Sequence, residues 1–416
     1  MMKSIFSNNT FNVPNHIAYL VGEFPILSET FVYREIRLLQ KCGVKISLFT
    51  LRRTQSSAKI DLTDLPEATA IYGANPVLMI LSLFKMLISR PALAMKGLSF
   101  LLKDLGQVKG GRNKIKLVFQ CIAGARLASY LIKSGISHLH VHFIHSPCQV
   151  AMYGAAFAGI PYTVTAHAND IFSRGELLLE KADRAQKVVT ISDFNQRYFE
   201  KIGVEPGKVH VVRCLMDLPE NASAKEAQSS EKFVVGSLGR LVPKKGFATL
   251  IRAFSRFSER HPEVNTELQI AGTGPDETML KTLVAELKLE QKVKFCGALH
   301  PVEVFDWMKT LSCFALACEE GANGNVDGIP VVLMEAMACN VPVVSTRLSG
   351  IPELIIDGET GKLVEVGQVN ELADTLAFVQ MNSEEVSKLV QQAQAHLKRE
   401  FSKEVNLERL MKCFEH

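Results

Sequence analysis

The chain has 416 residues, 47% of them hydrophobic and 22% charged, and nine cysteines. That length buries cores for two domains, and that composition excludes a disordered or collagen-like chain. An odd cysteine count with no C-x-x-C pair argues for reduced thiols and a cytoplasmic address. The start, MMKSIFSNNTF, shows no apolar core of a secretory leader. Charge is divided unevenly: residues 1–218 carry 26 Lys and Arg against 15 Asp and Glu, and the remainder 21 against 28. A half at +11 beside one at −7 points to an anionic partner for the first half alone. No recognition motif accompanies the basic charge, so nucleic acid is not the expected partner.

The first half predicts alternating strands and helices. His16 to Val21 reads as a strand and Gly22 to Pro25 as a turn. Ser28 is a candidate cap for a helix over 29–39, stopped by Gly43, and 44–48 is the next strand. This βαβ unit implies a parallel sheet, with further strands at 138–143, 162–166, 188–191 and 209–212. Ligands of such sheets sit beyond the strand C-termini, which places residues 22–28, 142–146 and 167–170 on a common rim. His138, His140 and His142 alternate on one strand and share a face, a spacing three zinc ligands could use. The strand also alternates His with Leu, Val and Phe, and no Cys or acid nearby completes a tetrahedral set. No metal is therefore expected, and His142 beside the rim is the histidine of interest.

Residues 75–105 differ. Asn75-Pro76 starts a helix, and Arg90-Pro91 ends it and starts a second. Lys85, Arg90, Lys96 and Lys103 interrupt the apolar residues, which excludes a bilayer span of about 20 apolar residues. Lys85, Lys96 and Lys103 fall near one face at helical spacing, and Lys109, Arg112, Lys114 and Lys116 extend the basic character. Residues 75–116 are thus read as an amphipathic surface for an anionic membrane, with a buried helical pair as the alternative.

The small, polar residues of DLPENASAKEAQSSEK read as a linker, set at 219–230 between domains at 1–218 and 231–402; a last helix, 403–416, is expected to return towards the first domain. The second series starts with the strand 233–238, the loop GRLVPKKG and a helix over 247–257. Arg240, Lys244 and Lys245 on that glycine-bounded loop form a candidate pyrophosphate clamp. A strand then enters AGTGP, where Gly272 and Gly274 allow backbone to approach a ligand. The run 314–317 is a strand, and DGIPVVLMEAMAC holds Pro330 as the first residue of a helix to Cys339. Unpaired first-turn amides of Val331 and Val332 either meet Asp327 or wait for an anion such as phosphate. Glu335, further along, can accept two hydrogen bonds from neighbouring ribose hydroxyls.

The ordered set GRLVPKKG, AGTGP, VKFCG, DGIPVVLMEAMACNVPVVST and SGIPELIIDGETGKLV resembles the donor domain of retaining glycosyltransferases of the GT-B fold, family four. FPILSETFVYREI, HLHVHFIHSP, GIPYTVTAHANDIF and VVTISDFNQRYF resemble the branch that builds exopolysaccharides such as colanic acid. The resemblance implies an α/β chain of two Rossmann-like domains facing each other across a cleft, the first binding acceptor and the second a nucleotide sugar. It implies that Arg240 and Lys245 hold the donor pyrophosphate, Glu335 the ribose, and Asp327 with the Gly328, Ile329, Pro330, Val331 and Val332 backbone the transferred sugar. His167 is implied near the sugar and acceptor, with Glu29, His142 and Asp170 on the acceptor side. The donor would be a nucleoside-diphosphate sugar with no further cofactor, and the acceptor lipid-linked or oligosaccharide. One position departs from the family pattern: the first acid of the usual Glu-x7-Glu pair is Asp327, one methylene shorter. A sugar-nucleotide epimerase or phosphorylase, or a binding subunit without turnover, are the other readings of such a fold.

Overall fold

The structure, a computed structural model, describes residues 12–26, 29–54, 62–73, 75–172, 175–215 and 232–415. The chain divides into two compact units, Met1–Met216 with Lys403–His416 and Asp217–Ser402. The expected linker and the Ser28 cap lie outside the described residues.

The first unit holds seven described strands: β1 (His16–Phe24), β2 (Lys45–Arg53), β3 (Thr69–Ala70), β4 (His138–His142), β5 (Tyr162–Ala166), β6 (Lys187–Thr190) and β7 (Val209–Val211). All pair in parallel, in the order β3-β2-β1-β4-β5-β6-β7. The order reverses between β1 and β4, so a ligand crevice is expected beyond their carboxyl ends. β1 runs three residues past the expected end, through the predicted turn at Gly22, because it keeps its register with β2 to Phe24–Arg53. β4 is central and covered on both faces, so all five of its residues are buried, including the three histidines. The final helix, Lys403–Phe414, packs its Leu407, Leu410 and Phe414 into this unit's core.

Asn75 caps the helix Pro76–Ser89 by accepting from the Val77 amide at 2.9 Å, and Pro91 starts the next helix, Pro91–Gln107. A third, Gly111–Lys133, is long and apolar enough to cross a membrane, but half of its most apolar window is buried in the unit. Asp104 is fully buried and is clamped by Arg184 at 2.6 and 2.8 Å and by the Tyr153 hydroxyl at 2.6 Å. This pairing satisfies the one acid of the otherwise basic helical segment and ties it to the body of the unit.

The second unit holds β8 (Phe233–Leu238), β9 (Thr266–Ala271), β10 (Val293–Gly297), β11 (Cys313–Leu316), β12 (Val343–Thr346) and β13 (Lys362–Val364), all parallel, in the order β10-β9-β8-β11-β12-β13. Its reversal falls between β8 and β11. The loops leaving those two strands are GRLVPKKG and the stretch that ends at Asp327-Gly-Ile-Pro. Two of the most conspicuous loops of the sequence therefore flank the same crevice.

Candidate functional site

In the second unit, glycines bring the loops together. A Cβ on Gly246, which sits at φ +65°, would come within 1.6 Å of the Ala317 carbonyl oxygen. Gly272 and Gly274 would meet the Gly239 and Leu241 carbonyl oxygens at 1.9 and 2.2 Å. The AGTG glycines thus allow close approach, as expected, but to the neighbouring GRL loop rather than to open ligand space. Amides of Gly239 and Leu241 donate to Ala271 and Thr273 carbonyls at 3.1 and 3.0 Å and fix that contact.

On this braced loop the two lysines converge on one carboxylate. Lys244 Nζ lies 2.9 Å from Asp327 Oδ1 and Lys245 Nζ 2.7 Å from Oδ2, with all three side chains mostly buried. Burial opposes the charge on Asp327, yet Lys245 and Lys244 outweigh it and hold its carboxyl below the ordinary value. The Lys244 carbonyl also accepts from the Glu319 amide at 2.9 Å, and its ammonium donates to Asn325 at 3.3 Å. Sequence reasoning placed Lys244 in the clamp but did not place Asp327 between the lysines, because the pair is 82 residues apart and joined only by the fold.

Arg240 is exposed on the same loop. Pro330 is the N-cap rather than the first helical residue, and the helix runs Val331–Ala338 with no capping side chain at that position. Proline keeps an extended ψ of 120°, so the helix opens one residue later than expected. Gly328, Ile329 and Pro330 are buried beneath it, and the Gly350 amide donates to the Gly328 carbonyl at 3.2 Å. Val331, Val332 and Glu335 remain partly accessible. The crevice thus joins two lysines, an exposed arginine and a helix N-terminus, a set that suits a phosphoryl anion.

The rim of the first unit is organised by an acid that sequence reasoning missed. Glu35 Oε1 accepts from the Tyr19 hydroxyl at 2.7 Å and lies 2.9 Å from His142 Nε2 and 3.6 Å from His140 Nε2. Glu35, His140 and His142 are the metal-capable group among the described residues, so an acid does join two of the three histidines, contrary to the expectation that none nearby would add a ligand. Glu35 comes from the helix Thr30–Lys41, far from the strand in sequence. Hydrogen bonds already close the cluster, since His140 also meets Thr163 at 2.8 Å and Thr165 at 3.0 Å. Burial first, then the neighbouring His142 and His138, hold His140 well below its ordinary pKa, so it is neutral.

Around His142 the rim is aromatic. Phe31 and Phe143 each centre 4.9 Å from the His167 ring, which stacks on His142 at 6.0 Å. Phe143 holds φ +74°, a left-handed conformation that a bulky residue adopts only where its surroundings enforce it. Burial, then His142 and His145, lowers His167 to about 3. Glu29 is pushed up to about 7, mainly by burial, with His142 opposing and Glu23 adding. Asp170, expected on the acceptor side, is instead fully buried. Its oxygens accept from the Ile144 and His167 amides, so it shapes the loop beneath His167 and presents nothing to a ligand.

Two doubly wound parallel sheets with crevices at their reversal points define the GT-B class of α/β fold. The solved lipopolysaccharide outer core galactosyltransferase WaaB, in its apo form, shares it with a TM-score of 0.68 at 17% identity, covering 96% of this chain and 98% of that one. Residues 109–219 match Glycosyltransferase Family 4 and residues 220–396 match Glycosyl transferases group 1. Together the two matches run from residue 109 to 396, so the chain carries a Glycosyltransferase Family 4 domain followed by a Glycosyl transferases group 1 domain. It is 33% identical over 242 residues to WcaL of Escherichia coli (strain K12), named for colanic acid biosynthesis, covering 58% of this chain and 57% of that relative. It is 30% identical over 271 residues to the amylovoran biosynthesis glycosyltransferase AmsK of Erwinia amylovora, covering 64% and 63%. The matched stretches therefore span about three-fifths of these relatives.

Proposed function

We propose that the chain is a retaining glycosyltransferase. It moves a hexose from a nucleoside-diphosphate sugar to a lipid-linked or oligosaccharide acceptor in the building of an exopolysaccharide or lipopolysaccharide. The observation that carries this reading is the cationic crevice of the second unit, where Lys244, Lys245 and Arg240 stand beside the uncapped helix Val331–Ala338. Charge develops on the leaving diphosphate as the anomeric bond breaks, and fixed cations with a helix N-terminus stabilise it without reorganisation. Glu335 binds the ribose and Asp327 faces the transferred sugar. His167, neutral throughout the physiological range, works as a hydrogen-bonding group rather than as a charged acid. Side chains supply the cations, so transfer proceeds without a metal. The relatives named for colanic acid and amylovoran support the exopolysaccharide assignment.

The first unit meets the membrane through residues 75–116. Val77, Leu81, Phe84, Ile88, Leu102 and Ile115 are all more than half exposed. Lys85, Lys96, Lys103, Lys109, Arg112, Lys114 and Lys116 are exposed beside them. An apolar face fringed by cations suits an anionic lipid surface on the cytoplasmic side, where a lipid-linked acceptor would reside. Incubating the chain with UDP-, GDP- and ADP-sugars and acceptor-bearing membranes tests the activity. NMR of the product should show the donor's anomeric configuration retained; an inverted product would exclude the mechanism.

A further inference from the structure

A pocket of about 480 Å³ opens in the first unit between Lys116, His145, Ser146, Gln149 and Lys181. Its volume falls within the range of small-molecule sites, about 300–1,000 Å³. It lies at the start of the helix Ser146–Ala158, which has no side-chain cap and has Pro147 in its first turn. It also adjoins the aromatic rim: the His145 ring stacks on Phe143 at 5.5 Å, and Phe143 touches His167.

Lys181 is the unusual member. Its side chain is fully buried, and its ammonium donates to the Ile144 carbonyl at 2.7 Å. An ammonium has three N–H groups, and among the described residues the Ile144 carbonyl is the acceptor that this one meets. Burial lowers Lys181 to about 8, with Cys148, Asp170 and Glu176 opposing, so it stays largely charged at neutral pH. Asp170 acts on it through space without a hydrogen bond to the ammonium, its oxygens accepting from the Ile144 and His167 amides. A buried charge with spare donors is costly unless an acceptor arrives. Lys116 adds a second cation from the exposed face of its helix, and Glu176 is the one acid lining the pocket, itself exposed.

We propose that this pocket binds the phosphate or diphosphate through which a lipid-linked acceptor carries its sugar. The sugar then lies on the rim at His142 and His167, while Lys181 and Lys116 hold the phosphoryl oxygens. Ile115, on the same helix as Lys116, is exposed for the lipid chain to leave along. This deepens the acceptor assignment above and rests on it.

The test uses the full chain with three probes, farnesyl diphosphate, inorganic pyrophosphate and farnesol, measured by calorimetry. Wild type should bind farnesyl diphosphate more tightly than pyrophosphate and should bind farnesol weakly. Lys181→Met and Lys116→Glu should each weaken farnesyl diphosphate roughly tenfold or more, as loss of a charge-assisted contact does. Lys116→Glu alters an exposed helix position, so it keeps the test valid if Lys181→Met fails to fold. Neither variant should change affinity for a nucleoside diphosphate, whereas Lys245→Ala should change that alone. Equal binding by wild type and Lys116→Glu, or equal affinity for pyrophosphate and farnesyl diphosphate, would overturn the proposal. Intact nucleotide-sugar turnover alongside either result would leave the transferase reading standing and this site alone rejected.

Discussion

Replacing Asp327 by Asn separates the two jobs that its position combines. The carboxylate neutralises one of two lysines, at 2.9 and 2.7 Å. Asn keeps an acceptor for one ammonium but removes the charge. A diphosphate entering the crevice then meets one more uncompensated cation. At an effective dielectric of about 20, a unit charge about 7 Å away contributes about 2 kcal/mol, or roughly thirtyfold in affinity. Calorimetry with a free nucleoside diphosphate should therefore show tighter binding in Asp327→Asn. Folding stability should fall by about 1–3 kcal/mol, because a largely buried charged contact is lost. If Asp327 has the proposed role towards the sugar, transfer should fall by about a hundredfold or more, because the amide carries no negative charge into the transition state. Asp327→Glu restores the longer acid and should keep substantial turnover. Weaker nucleotide binding in Asp327→Asn would refute the idea that the carboxylate competes with diphosphate for the lysines. Unchanged turnover would remove its charge from catalysis.

Gly246→Ala should destabilise the second unit by more than about 3 kcal/mol in chemical denaturation, because its Cβ would overlap the Ala317 carbonyl at a positive φ. Glu29, raised to about 7, should give kcat/KM for acceptor a limb near pH 7 that disappears in Glu29→Gln. The same raised value means that its stabilising contribution is full below about 4.5 and is lost as pH rises through about 7, so Glu29→Gln should flatten that part of the stability profile. Turnover should survive excess EDTA; loss of activity that a divalent metal restores would point back to Glu35, His140 and His142. Liposomes with anionic lipid should retain the chain at low salt and release it at high salt. Replacing Lys96, Lys103, Arg112 and Lys114 with Glu should abolish that retention.

Strand and helix alternation was legible because each element carries its own period and punctuation. Asn75-Pro76, Arg90-Pro91 and the helix Lys403–Phe414 sit where local chemistry put them. Ends set by tertiary pairing were not: β1 is held past Gly22 by its neighbour β2. The motifs announced which loops matter, but not how they join. Glycine spacing in AGTG signalled close approach, while only the fold reveals that the partner is the Gly239–Leu241 backbone. Glu35 sits in an ordinary amphipathic helix and has no sequence signal linking it to His142, 107 residues away. Lys181 was equally silent, because a lysine beside acids in a polar helix reads as solvated. Asp170 misled in the opposite sense, since a polar residue in a motif is as often a backbone tie as a contact to a ligand.

The central claim is that the crevice of the second unit holds a nucleotide sugar by its diphosphate. Thermal unfolding of the full chain with UDP-, GDP- and ADP-sugars, in wild type and in Lys245→Ala, tests it most directly. A ligand at about 100 times its Kd stabilises by about 2.7 kcal/mol, enough for a clear rise in Tm. At least one nucleotide sugar should raise the wild-type Tm, and Lys245→Ala should lose most of that rise at the same ligand concentration. No rise with any nucleotide sugar, or an equal rise in both proteins, would contradict the account.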